Sequence, residues 1–194
     1  MKKDIVLTGV GGQGIVSIAA IIGYAALEQG WFLKQSEVHG MSQRGGDVMS
    51  NLRIYEHEIA SDVIPFGKAD LIISIEPLES IRHLPFLSPD GWIITNTNPF
   101  KNVPNYPDLE KILSEIQKIK NHIALDADSM AKEIGSARVS NIVVLGAASP
   151  FLGIGFDQFE QSIQTIFMNK GDGVIEMNLK ALQAGRSFTD KKIH

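Results

Sequence analysis

The chain has 194 residues, of which 44% are hydrophobic and 21% are charged, a composition typical of one globular domain large enough to bury a core. Its formal net charge of -4 argues against nucleic acid as the main partner, because no basic excess is available to neutralise phosphates. Since the chain contains no cysteine, it can form no disulfide, use no cysteine nucleophile and supply no cysteine ligand to zinc or to an iron–sulfur cluster.

The first predicted elements form a β-α-β unit around a glycine-rich turn. Residues 4–8 are a short apolar run that predicts a buried strand, and the apolar spacing of residues 13–29 predicts an amphipathic helix. Between them lies Gly9-Val10-Gly11-Gly12-Gln13-Gly14, and residues 31–35 predict a second strand. Strand, glycine turn and helix in this order are the context of a phosphate-binding turn, and the unit predicts a Rossmann-like start of the fold.

After the second strand, the pattern departs from a doubly wound fold. Alternation of side-chain character over residues 47–54 predicts a strand. A turn near Glu56-His57 and a short return at residues 58–60 predict a β-hairpin insertion. Because a doubly wound fold would place a helix here, the hairpin implies a mixed sheet.

The remaining segments complete an α/β pattern. Further strands are predicted at 69–75, 92–96 and 123–126, and further helices at 76–83, 109–120, 129–134 with Asp128 as its cap, 156–168 and 174–184. Residues 141–151 are nearly all apolar or small and predict a buried helix or a packed interface. We therefore predict an α/β protein, a three-layer α/β/α sandwich with a mostly parallel, mixed sheet. One domain is expected over residues 1–186 and a disordered tail over 187–194.

The glycine turn is the first candidate site. Gly9, Gly11, Gly12 and Gly14 allow a tight turn and close approach of the backbone to a ligand. The helix that follows begins with unpaired N–H groups and the positive end of its dipole, which stabilises an anion. The same glycines could equally serve only to pack the helix on the strand, and the pattern alone does not separate these two interpretations.

The segment 36–46 is the second candidate site. It has no steady period, which predicts a loop, and it carries four side chains suited to binding or chemistry together with Gly45: Glu37, His39, Gln43 and Arg44. We expect them at the same edge of the sheet as the glycine turn, where they could hold a phosphorylated or carboxylated ligand or form one face of a site shared with another chain. Arg44 has the planar fork that suits an anion. The alternative is a structural crossover with no ligand.

Other chemistries remain as alternatives or are disfavoured. A free-standing NAD(P)- or flavin-dependent oxidoreductase would use the Gly9–Gly14 turn and Glu37 as the acid that holds a ribose, and an assembly module would carry no chemistry. We predict no metal site, because the five histidines lie in scattered contexts without i, i+4 spacing on a predicted helix. A hydrolase triad is disfavoured because neither Ser17 nor Ser42 follows a nucleophile elbow.

Two segments together carry a resemblance to a known family. Gly9–Gly14 followed by Ile15-Val16, and Ser36-Glu37-Val38-His39-Gly40-Met41-Ser42-Gln43-Arg44-Gly45-Gly46, resemble the gamma-type subunits or domains of the 2-oxoacid:ferredoxin oxidoreductases. The Ser-Glu-Val-His-Gly-Met form resembles the indolepyruvate branch, since pyruvate and 2-oxoglutarate members usually carry a tyrosine or phenylalanine and Gly-Pro-Glu before the Arg-Gly. The likeness also includes Ala69-Asp70-Leu71, Glu76-Pro77-Leu78-Glu79 and the segment 141–147, and so spans nearly the whole chain.

The resemblance implies an activity that this chain shares with a partner. Such enzymes oxidatively decarboxylate a 2-oxoacid with coenzyme A to an acyl-CoA and carbon dioxide, and they pass electrons to ferredoxin. Thiamine diphosphate and [4Fe-4S] clusters are expected in a larger alpha subunit, which would also meet ferredoxin, and this chain would be inactive alone. Gly11, Gly12, Gln13 and Gly14 are expected to line the substrate and coenzyme A region, and no residue is assigned proton transfer.

The expected location follows from what the sequence lacks. No apolar run approaches the roughly 20 residues of a membrane span. The N-terminus enters a predicted strand at once, without the long apolar segment of a signal peptide. We therefore expect a cytoplasmic protein without membrane or nucleic-acid partners.

Overall fold

The computed structural model describes residues 1–40, 45–101 and 103–193. Its strands are β1 (Lys2–Val10), β2 (Phe32–His39), β3 (Asp47–Tyr55), β4 (Ala69–Ser74), β5 (Leu87–Asn96) and β6 (His122–Leu125). Its α-helices are α1 (Ile15–Glu28), α2 (Pro77–Arg82), α3 (Leu109–Gln117), α4 (Ala127–Ile134), α5 (Ser140–Leu152), α6 (Phe156–Phe167) and α7 (Asp172–Ile193). No helix in these three ranges is both long and apolar enough to span a bilayer.

The strands form one mixed sheet in the order β2-β3-β1-β4-β5-β6. Strands β1, β4, β5 and β6 run parallel, and β3 runs antiparallel to both β1 and β2. The unit β1-α1-β2 therefore leaves a gap of one strand, which β3 fills. The predicted mixed, mostly parallel sheet is confirmed, and the carboxyl ends of β1 and β2 lie at the same edge.

The predicted hairpin is present in a different place. The return at residues 58–60 is not a strand, and β3 instead pairs backward with β2, from Phe32 opposite Tyr55 to His39 opposite Val48. The start of the predicted loop 36–46 therefore belongs to β2. Alternation is hidden here because β2 is an edge strand with Glu37, Val38 and His39 all exposed, so neither face imposes an apolar period.

Helices cover both faces of the sheet, which confirms the predicted three layers. The larger core joins one sheet face to the helices α1, α4, α5, α6 and α7. A smaller core built around Val6, Ile72 and Ile93 lies on the other face, where α2 and α3 pack. Two predictions were open for residues 141–151, a buried helix and a packed interface. Helix α5 is buried along its length, which confirms the buried helix.

The last helix extends past its predicted end. Residues 187–193 continue α7, although we predicted a disordered tail there, and His194 lies outside the described residues. The segment is polar, which led to the prediction of disorder, but it makes a buried contact with α5. Thr189 is fully buried, and its Oγ1 donates to the carbonyl of Ala147 at 2.9 Å. A second difference concerns α4, whose N-terminus is capped by Asp126 and not by the predicted Asp128.

Candidate functional site

The glycine turn is closed by the side chain of Gln13. The backbone N–H of Gln13 donates to the carbonyl of Val10 at 3.1 Å, and the N–H of Val10 donates to Gln13 Oε1 at 2.7 Å. Gly12 and Gly14 have φ angles of 101° and 81°, a region that side chains rarely adopt. The side-chain carbonyl of Gln13, a residue that we predicted to line the substrate and coenzyme A region, therefore closes the turn.

The structure brings the two glycine-rich segments together. The N–H of Gly11 donates to the carbonyl of Gly46 at 2.8 Å, and the N–H of Gly45 donates to the carbonyl of Gly11 at 3.3 Å. These bonds continue the antiparallel pairing of β1 with β3 beyond its last pair, Val10 with Asp47. The glycine turn and the end of the β2-β3 hairpin are therefore joined by backbone hydrogen bonds, and a shift of one requires a shift of the other.

The N-terminus of α1 opens at this turn. Gly14 is its cap residue, in the left-handed conformation, and no side chain caps the helix. The first N–H groups of an α-helix have no acceptor within the helix, and the dipole adds partial positive charge there. An anion placed beside the turn would be stabilised by both effects.

One cavity lies between the turn and β2. It has a volume of about 470 Å³ and is lined by Val10, Gly11, Gly12, Gly14, Ile15, Val16, Glu37, His39 and Val48. This volume falls within the usual range of small-molecule sites. Glu37 and His39 are exposed, alternate residues of β2, and His39 Nδ1 lies 3.1 Å from the carbonyl oxygen of Gly40. The predicted Gln43 and Arg44 lie outside the described residues.

A second cavity of about 610 Å³ lies on the other side of the turn, where it meets the start of α5 and α7. Its lining includes Gln13, Ser17, Arg138 and Asn141. Asn141 Nδ2 donates to the carbonyl of Gly14 at 3.2 Å. Neither Arg138 nor Asn141 was predicted to have a role. The available signal was a single amide at the start of an otherwise apolar helix.

Buried carboxyl groups lie under the same edge of the sheet. Glu76 precedes α2, and its Oε2 accepts from the N–H of Glu79 at 2.9 Å. Its Oε1 accepts from the N–H of Phe100 at 3.3 Å and from the hydroxyl of Tyr106. Burial and the Glu76 carboxylate raise the pKa of Tyr106 above its ordinary value, so the hydroxyl stays protonated and holds the segment after β5 against α2.

Glu79 is the most unusual of these groups. It is 1% exposed, its Oε1 lies 3.2 Å from Arg82 Nη1, and its Oε2 is buried without a hydrogen-bond partner. Burial raises the pKa of Glu79 to about 7; Arg82 opposes the rise, and the Glu76 and Asp47 carboxylates add to it. Burial therefore favours the protonated form of this carboxyl over the carboxylate.

The described residues show no arrangement for a metal ion. Among them, no group of three or more histidine, aspartate or glutamate side chains is placed to hold one. At the turn, backbone amides can bind an anion, with a carboxylate and an imidazole from β2 on one wall of the cavity.

Known proteins resemble this chain over nearly its whole length. The family described as pyruvate ferredoxin/flavodoxin oxidoreductase matches residues 4–188. The indolepyruvate oxidoreductase subunit IorB of Thermococcus kodakarensis is 36% identical over 195 residues, which covers 95% of each chain.

Two solved structures share the fold. The pyruvate oxidoreductase subunit PORC of Thermotoga maritima superposes with a TM-score of 0.74 at 23% identity, over 96% of both chains. The 2-oxoglutarate:ferredoxin oxidoreductase of Magnetococcus marinus, solved with 2-oxoglutarate, coenzyme A and succinyl-CoA, has a TM-score of 0.77 at 21% identity. That match covers 98% of this chain and 31% of the other, so this chain spans about a third of the Magnetococcus polypeptide.

Proposed function

The chain belongs to the pyruvate ferredoxin/flavodoxin oxidoreductase family, and we propose that it is a non-autonomous subunit of a 2-oxoacid:ferredoxin oxidoreductase. The reaction proposed is oxidative decarboxylation of an aryl pyruvate such as indolepyruvate with coenzyme A, which yields an acyl-CoA and carbon dioxide and reduces ferredoxin. The substrate class is supported by the 36% identity to an indolepyruvate oxidoreductase subunit along 95% of both chains.

The division of labour is supported by composition. Iron–sulfur clusters are held by cysteine thiolates, and this chain contains none. We therefore assign the [4Fe-4S] clusters, thiamine diphosphate and the contact with ferredoxin to a larger alpha subunit. Thiamine diphosphate would supply the decarboxylation chemistry when bound in the larger subunit. This chain would contribute binding and orientation of the ligand.

The observation that carries the role of this chain is the joined pair of glycine segments beside the 470 Å³ cavity. We propose that the turn amides and the start of α1 bind an anionic group, either the 2-oxoacid carboxylate or a phosphate of coenzyme A. Glu37 and His39 would orient the rest of the ligand from β2. Gln43, Arg44 and Gly45 remain proposed contacts, with Arg44 as the anion-pairing side chain.

The dinucleotide alternative is weakened by the sheet order. In a dinucleotide-binding fold, the acid that holds the ribose ends the strand beside β1. Here β3 separates β1 from β2, and two strand spacings place the Glu37 backbone about 10 Å to the side. The same geometry leaves room for a ligand that bridges the turn and a second polypeptide.

The partner interface is proposed at the glycine turn edge. Val16 on α1 and Val38 on β2 are 60% and 61% exposed, and exposed apolar side chains near a proposed site are candidate contacts with a partner chain. The other region considered for an interface, residues 141–151, packs inside the chain as α5.

The proposal is tested by anaerobic affinity purification of the chain from its own host, followed by dye reduction with a panel of 2-oxoacids. We expect a cysteine-rich partner to co-purify, with activity that requires coenzyme A and is highest for aryl pyruvates. Highest activity on pyruvate or 2-oxoglutarate would contradict the substrate class. A chain that elutes alone and binds NAD(P) or a flavin, with binding weakened in Glu37→Ala, would replace the proposal with the dinucleotide alternative.

A further inference from the structure

We propose that Asn141 is a positioning residue that fixes the glycine turn for ligand binding, from a helix 127 residues away along the chain. The inference rests on the proposed function of the turn and adds a residue that neither glycine-rich segment contains.

The Asn141 amide is fixed at both ends. Its Nδ2 donates to the carbonyl of Gly14 at 3.2 Å, and its Oδ1 accepts from the N–H of Ile142 at 2.9 Å. The second bond determines which way the amide faces, because only an oxygen can accept there. The side chain is 7% exposed, and a Cβ on Gly14 would lie 2.4 Å from Nδ2, so Asn141 packs directly on the glycine.

The carbonyl that Asn141 holds sets the direction of α1. Gly14 caps that helix, and its carbonyl accepts from the N–H groups of Ser17 at 3.1 Å and Ile18 at 3.3 Å. Because no side chain caps the helix, the orientation of this peptide decides where the open N–H groups point. Among side-chain hydrogen bonds of the described residues, the Asn141 bond alone joins the turn to the helical layer.

Asn141 stands on a firmly held element. Helix α5 approaches α7 closely, because a Cβ on Gly146 would lie 2.0 Å from the carbonyl oxygen of Leu182 and a Cβ on Gly185 would lie 1.9 Å from that of Val143. Such contact leaves no room for α5 to shift against α7. Asn141 therefore extends the rigidity of the core to the turn, and a pre-ordered turn binds its ligand without paying for ordering.

The test compares three variants in the assembled enzyme. Asn141→Ala removes both amide bonds, and Asn141→Asp keeps the acceptor for Ile142 but loses the donor to Gly14. Thr189→Val is the matched control, since it removes a buried side-chain donor to a carbonyl of the same helix, that of Ala147, far from the turn. The readouts are kcat and KM for coenzyme A and the 2-oxoacid, and amide hydrogen exchange over residues 15–18.

Both Asn141 variants are expected to raise KM for the ligand bound at the turn about three- to tenfold, the effect of one lost hydrogen bond, with kcat within about twofold. Exchange over residues 15–18 should become faster in both. Thr189→Val should change neither KM nor this exchange. If Asn141→Ala does not assemble, hydrogen exchange in the aspartate variant and the control decides the question, because a carboxylate added beside an anion site would raise KM by charge repulsion alone.

Unchanged KM and unchanged exchange in the Asn141 variants would overturn the inference, as would an equal rise in KM in Thr189→Val. Failure of the proposed function is a separate outcome: the wild-type complex would show no activity that depends on coenzyme A. The exchange comparison would then still report whether Asn141 fixes the turn.

Discussion

At the scale of single residues, Glu79 is the group whose state the environment controls most strongly. Its carboxyl is withdrawn from water, its Oε2 has no partner, and one guanidinium, that of Arg82, partly offsets the burial. The folded chain therefore holds a proton on Glu79 over a pH range in which the unfolded chain has released it. The free energy of unfolding must then fall as pH rises through that range.

We predict that Glu79→Gln abolishes this pH dependence. The pKa rises from an ordinary value of 4.5 to about 7 in the folded chain, so the wild type should lose about 3 kcal/mol of stability between pH 4.5 and 7 and little more above. The glutamine variant, which has no charge to bury, should be about 1–3 kcal/mol more stable than the wild type at pH 8. Denaturant unfolding at intervals from pH 4.5 to 8 measures both.

The control for Glu79 is Glu115→Gln, since the Glu115 side chain is 57% exposed on α3. Its unfolding free energy should follow the wild-type pH profile. If the profile of Glu79→Gln is the same as that of the wild type, burial does not shift the pKa of the Glu79 carboxyl.

At the scale of elements, α1 offers an internal comparison for the proposed interface. Val16 and Leu27 are 60% and 54% exposed at opposite ends of the helix. Eleven residues correspond to about three turns and about 16 Å, so the two side chains lie on nearly the same face. Only Val16 lies beside the glycine turn.

We predict that Val16→Glu weakens association with the larger subunit at least about tenfold, because a charge would be buried at the interface, while Leu27→Glu leaves association within about twofold. An acid near the helix N-terminus is favourable and one near the C-terminus is not, so the control carries the larger penalty in the isolated chain. Titration of the partner, with thermal unfolding of each variant, measures both effects. Equal weakening by the two variants would contradict the proposed interface.

Element prediction succeeded where burial imposes a period and was wrong where it does not. The inner strands and α1 have apolar patterns that a sequence displays directly. The end of β2 is exposed on both faces, so its strand character comes only from pairing with β3. Similarly, the end of α7 is polar in sequence and is ordered by Thr189, whose partner lies 42 residues away.

Prediction of the site shows the same limit. The glycine turn was evident because its residues are adjacent in sequence, and its proximity to Glu37 and His39 followed from the two strands that lead there. The inward use of Gln13 Oε1 depends on a rotamer, which residue spacing does not encode. The roles of Asn141 and Glu79 depend on tertiary contacts and burial, and neither had a local signal that separates it from an ordinary cap or surface acid.

At the scale of the whole molecule, the chain contains no cysteine, and its proposed site lies at one edge of the sheet. The glycine turn, the hairpin end and the start of α1 converge at the carboxyl ends of β1 and β2, and α5 supports them from the core. Anion binding and orientation are the tasks this arrangement can perform alone. Electron transfer to ferredoxin requires ligands from another polypeptide, which makes dependence on a partner the central claim.

The most direct test of that claim is a complementation titration under anaerobic conditions. The purified chain is added to the larger subunit prepared without it, and dye reduction is measured with an aryl pyruvate and coenzyme A. We predict no activity from this chain alone, and in the presence of the larger subunit we predict activity that rises with added chain and saturates. Full activity of the larger subunit without this chain, or 2-oxoacid oxidation by this chain alone, would contradict this prediction.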